Sequence, residues 1–172
     1  GAGEYLIPNT DGAEGTIANG LTSFDSDGFT LGSEAGHNFN GATFVAWCWK
    51  ANGGTTSSNT DGSITSTVQA NTKAGFSIVK YTGNQSNATI GHGLGVVPEM
   101  IIAKGLYVQN WAVYHKDAGS NYWLQLNGAT AKIDEPIWQD TTPTSSVFSV
   151  NNNVVINKSS SDSIAYCFAS VA

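Results

Sequence analysis

Apolar and polar positions along this chain repeat mainly with a period of two, and no window sustains a helical period of 3.6. Gly75 to Tyr81, rich in β-branched and aromatic residues, predicts a strand ended by Thr82-Gly83-Asn84. Trp111 to His115, Tyr122 to Leu126, Val147 to Val150 and Val154 to Ile156 predict further short strands, and Ser63 to Gln69 an edge strand. Pro98 is expected to open a strand running to Lys104, one of the few sheet positions that tolerates proline. Glycines at 91, 93 and 95 predict positive φ, or a backbone running close to a neighbour. Many short strands joined by Gly, Asn and Ser turns predict an all-β fold, an antiparallel jelly-roll-like β-sandwich.

One pattern occurs twice. Superposing Cys48 on Cys167 places Val45, Trp47 and Trp49 on Ile164, Tyr166 and Phe168. At the same offset of 119, without a gap, Phe29-Thr30-Leu31 falls on Phe148-Ser149-Val150. Each copy carries large side chains on one strand face and Ala and Cys on the other, so both faces are apolar at the centre. That predicts a central strand covered on both sides, with Trp47, Cys48, Trp49, Tyr166, Cys167 and Phe168 in the core. It also predicts an internal duplication in which each copy ends with its most buried strand.

A length of 172 residues suits one domain, with 1–20 as a candidate N-terminal arm, 51–62 as a polar loop or linker and 74–172 as the main module. The chain starts at Gly1 without an initiator Met or signal peptide, as a processed chain or an excerpt would. Charged residues are 12%, about half the roughly 25% of ordinary domains. The seven basic residues are all lysine, and Ser, Thr, Asn and Gly take the place of charge. Such a surface suits an extracellular or virion protein. The net charge of −6 argues against nucleic acid and against anionic membranes, and no apolar run reaches the length of a bilayer span.

Candidate chemistry is sparse. Cys48 and Cys167 admit a disulfide or, the preferred reading, two buried thiols acting as small hydrophobes. Asp25 and Asp27 in Asp25-Ser26-Asp27-Gly28 are metal candidates, but His37 stands where a calcium loop would need its bidentate acid, and Asp-Gly is first a turn signal. His37, His92 and His115 share no metal spacing, and His92 between glycines reads as part of a shaped turn. Asp134 and Glu135 read as a solvated loop before Pro136, and no Gly-x-Ser-x-Gly elbow occurs. An enzyme is not expected, nor a cofactor. Trp111, Trp123 and Trp138 are candidates for stacking on sugar rings, weighed against burial as the commoner use of large aromatics. Tyr5-Leu6-Ile7 is a candidate assembly strand, weighed against a strand in its own sandwich.

The motifs Phe44-Val-Ala-Trp-Cys-Trp-Lys50, Gly75-Phe-Ser-Ile-Val-Lys-Tyr-Thr-Gly-Asn84, His92-Gly-Leu-Gly-Val-Val-Pro98, Asn110-Trp-Ala-Val-Tyr-His115, Thr142-Pro-Thr-Ser-Ser-Val-Phe148 and Ile164-Ala-Tyr-Cys-Phe168 occur here in that order. Over residues 20–50 and 74–172 the chain resembles a β-module of tail-fibre-like and other structural proteins of marine bacteriophages, a module that often occurs in tandem. The resemblance implies a virion or appendage component and no catalytic residues. In such arrays a module carries its own leading strands, and here little precedes Phe29. Residues 1–50 therefore either complete this domain or reach into a neighbour. The expected role is a non-enzymatic tail- or head-fibre component that self-assembles, with other virion proteins and host surface polysaccharide as partners. Two alternatives stand beside it: a filament or capsid-decoration subunit joined by N-terminal strand exchange, and a secreted carbohydrate-binding module.

Overall fold

The computed structural model describes residues 1–52 and 54–171. Its elements in chain order are β1 (Glu4–Tyr5), β2 (Gly15–Thr16), β3 (Leu21–Phe24), β4 (Phe29–Leu31), the single turn α1 (Ala35–Asn38), β5 (Ser57–Asn59), β6 (Ser66–Asn71) and β7 (Phe76–Thr82). There follow β8 (Ala88–Gly91), β9 (Met100–Gly105), β10 (Trp111–His115), β11 (Tyr122–Gln125), β12 (Ile133–Asp134), β13 (Val147–Val150) and β14 (Asp162–Phe168). Eight of them form one antiparallel sheet in the order β12-β11-β10-β9-β14-β7-β6-β5. A two-stranded sheet, β13-β8, packs against one face of it, and β1-β2 and β3-β4 form two further pairs. The protein is an all-β sandwich. Its layers are unequal, where a jelly roll divides eight strands between two sheets.

β14 takes the central position. It pairs along its length with β7 (Ala165 opposite Val79) and with β9 (Ala165 opposite Ala103). Its small side chains Ala165 and Cys167 face the core and are fully buried, while Ile164, Tyr166 and Phe168 on the opposite face are half-buried. The face with the smaller residues is thus the drier one. Beneath it the second layer brings in Ile90, Phe148, Ile137 and Trp138, whose bulk fills the space that Ala and Cys leave. Trp138 meets Tyr114 and Phe148 edge-on at 6.1 and 6.3 Å.

Several expectations need correction. Residues 42–50 form no strand, so the second copy of the terminal pattern is not realised as a second buried strand. Residues 51–62 are not a linker: Ser57–Asn59 pairs with β6 as the edge strand, which moves β6 one place inward. Val154 to Ile156 is a turn, and Pro98 lies two residues ahead of β9 instead of opening it. The glycine-rich stretch behaves as expected. Gly93 and Gly95 have φ of 71° and 74°, and a Cβ on Gly91 would overlap the Asn59 side chain.

The N-terminal segment belongs to its own domain. Gln109 N–H donates to Asp11 O at 2.8 Å, Glu14 N–H to Leu106 O at 3.3 Å, and the Trp111 indole to Ile7 O at 3.2 Å. These contacts lay residues 7–14 along the half-buried face of the large sheet. Beneath them Lys104 is fully buried and donates to Gly105 O and Tyr107 O at 2.6 and 2.7 Å, and burial pulls its pKa down.

Candidate functional site

Every residue from 35 to 50 is exposed. The run includes Phe39, Phe44, Val45, Trp47 and Trp49, with Val45 77%, Trp47 78% and Trp49 59% exposed. Its start is held by Asn38, whose Nδ2 donates to Gly32 O at 3.0 Å, and its end is anchored as well. Ala51 is buried, Asn71 Nδ2 donates to Lys50 O at 3.2 Å, and Trp49 meets Phe168 edge-on at 6.4 Å. Trp47 stacks on Trp49 with ring centres 6.5 Å apart, extending this aromatic row outward from Phe168 and Phe76. Among the described residues, no backbone hydrogen bond joins residues 43–49 to any other segment. A stretch with open N–H and C=O groups and a two-residue apolar period is a template for strand pairing. The hairpin β3-β4 adds exposed Phe24 and Phe29.

Trp47, Cys48 and Trp49 are therefore surface residues, a correction to their placement in the core. Tyr166, Cys167 and Phe168 do belong to the central strand, with Cys167 buried and the two rings half-buried. The cysteines are both free, one exposed and one buried, so they share no disulfide. Burial pushes the Cys167 thiol up to about 12, leaving it a small hydrophobe.

The aromatic candidates for sugar binding are corrected as well. Trp111, Trp123 and Trp138 are 5%, 4% and 1% exposed. Trp123 donates its indole N–H to Glu135 Oε2 at 3.2 Å, and the other Glu135 oxygen accepts from Asn153 Nδ2 at 2.5 Å. Glu135 thus orders the loops over β11, while Asp134 is exposed. No local spacing marks this role, because Glu135 lies twelve residues after the tryptophan it accepts from.

Asp25 works inside its turn. One carboxylate oxygen accepts from Ser23 Oγ at 2.9 Å, the other from Thr30 Oγ1 at 2.8 Å, and Asp27 is exposed. Among the described residues no group of three or more His, Cys, Asp or Glu is arranged to hold a metal. His92 is buried and locked as one neutral tautomer: Nε2–H donates to Thr144 O at 3.1 Å and Nδ1 accepts from Leu94 N–H at 3.2 Å. Desolvation holds its pKa below the usual imidazole range, the Thr144 carbonyl opposing it. Tyr5 lies in β1, Leu6 is half-buried and the Ile7 carbonyl is engaged by Trp111, so the proposed assembly strand is docked on its own domain.

A shallow groove lined by Thr72, Lys73, Val96, Ser170 and Val171 offers no paired titratable groups. Among the described residues no helix is long and apolar enough to cross a membrane.

Fold and surface together define a β-sandwich domain whose conspicuous feature is an uncovered aromatic strand-like segment. The chain belongs to the family described as a domain of unknown function, DUF7483, whose model matches residues 1–172. No curated protein and no solved structure matches it.

Proposed function

We propose that this domain is a non-enzymatic structural module of a bacteriophage particle, placed in a tail or head fibre and working by contact with neighbouring protein modules. The observation that carries the assembly role is the exposed run 39–49, an apolar row that a free-standing domain would bury. The virion placement rests on the motif order described above and on a charge-poor surface rich in Ser, Thr, Asn and Gly. Glycan binding by Trp111, Trp123 and Trp138 loses its residues to the core, and exchange of residues 5–7 loses its strand to contacts within the chain.

Light scattering of the whole chain across a concentration series tests the assembly role. Mass is expected to rise with concentration, and Trp47→Ser with Trp49→Ser is expected to return the chain to monomer. A wild-type chain that stays monomeric at every concentration overturns self-assembly.

A further inference from the structure

Thr43 to Lys50 has the composition of a buried central strand and the environment of a surface loop. Its closest counterpart in the chain is β14, and the match extends to both faces. Ala46 and Cys48 are identical to Ala165 and Cys167, and Val45, Trp47 and Trp49 match Ile164, Tyr166 and Phe168 in kind. The structure explains why β14 has this pattern. Ala165 and Cys167 are fully buried between the strand-pair neighbours Val79, Ala103 and Ile101, where bulk has no room. The larger face tolerates rings because it is half-covered. The match also includes the preceding strand, since β4 falls on β13 at the same spacing. In this chain the position between β7 and β9 is already filled by β14, and 43–50 stands outside it, unpaired.

We infer that residues 43–50 are a donated strand, which enters the sheet of a second module of this same architecture and takes there the place that β14 takes here. The acceptor is a module whose own terminal strand is absent from its sheet. Ala46 and Cys48 face its core, and Val45, Trp47 and Trp49 lie on its half-covered face. This inference rests on the assembly reading above and names its partner and its geometry.

The test joins two complete chains head to tail. The first copy carries Ala165→Asp and Cys167→Asp, which bar its own β14 from the core, and Cys48→Ser, which removes its surface thiol. The same Ala165→Asp, Cys167→Asp chain on its own is expected to be unfolded and digested by protease. In the tandem, the first copy is expected to resist protease, and the Cys48 thiol of the second copy to react with maleimide about tenfold or more slowly than in the single wild-type chain, because a thiol in a paired central strand reacts only on opening. Adding Ala46→Asp and Cys48→Asp to the second copy is expected to return the first copy to the digested state. A first copy that stays digestible in the tandem overturns the inference. So does a protected first copy beside a fully reactive Cys48, a slowed Cys48 beside a digested first copy, or an isolated doubly substituted chain that folds. A chain that associates in light scattering but fails here keeps the assembly reading and loses the donated strand. A monomeric chain that succeeds here keeps the strand and loses free self-assembly.

Discussion

Replacing Asn157 with alanine should cost roughly 3 kcal/mol, the loss of three part-buried hydrogen bonds at about 1 kcal/mol each. Asn157 is fully buried and ties two loops together. Its Nδ2 donates to Ser86 O at 2.7 Å and Asn151 O at 2.6 Å, and its Oδ1 accepts from Asn84 N–H at 2.9 Å. Alanine strips the partner from each. For a domain of this length about 3 kcal/mol corresponds to a fall of roughly 6–12 °C in melting midpoint, read by calorimetry. An unchanged urea m-value would show that only stability moved. Asn157→Asp sharpens the test, because it keeps the acceptor for Asn84 but turns a carboxylate toward two carbonyl oxygens. At neutral pH it should be less stable than Asn157→Ala. Its folded-state pKa lies above the unfolded value near about 3.9, so the folded form takes up its proton first and the deficit shrinks as pH falls through that window. A midpoint within about 2 °C of wild type for Asn157→Ala, or an Asp variant indifferent to pH, would refute the reasoning.

Three further outcomes follow from burial. Trp47→Ser should leave the melting midpoint of the monomer nearly unchanged, within about 0.5 kcal/mol for an exposed site, whereas Trp138→Ala should cost about 3–5 kcal/mol in denaturant titration. One thiol per native chain should react with a maleimide, and Cys48→Ser should abolish that reaction; Cys167 should become reactive only on unfolding, since it is fully buried. Stability should fall on acidification from pH 7 toward 5 through His92, whose folded pKa is lowered by burial: the unfolded chain takes up that proton first, so protons favour unfolding. His92→Gln should flatten this slope in melts across pH, and a His92 imidazole that titrates in the ordinary range by NMR would count against it.

The sandwich class and the central position of β14 were legible because a short strand with two apolar faces has few other places to go. The same logic misplaced Thr43 to Trp49. Period-two hydrophobicity reports that a segment is fit for burial, not which sheet receives it, and in this chain none does. Trp111, Trp123 and Trp138 looked available because they sit at strand ends and in a loop, but the second layer and the N-terminal segment close over those ends through contacts far apart in sequence. The edge strand Ser57–Asn59 was illegible for the opposite reason: three polar residues on a rim carry no hydrophobic signal. The Asn157 node joins residues more than seventy positions apart, and no local pattern marks it.

The position of β14 also bears on how the domain is made. It follows the other thirteen strands in chain order, yet it separates the β5–β7 half of the large sheet from the β9–β12 half. On a ribosome, both halves must wait with open edges at β7 and β9 until residues 162–168 have emerged. Closure of the sheet is then a late event of high contact order, and a nascent chain halted before β14 carries two unpaired inner strands that invite pairing with other chains. Synthesis speed and chaperone cover over that interval, more than the stability of the finished sandwich, would govern the yield of folded domain.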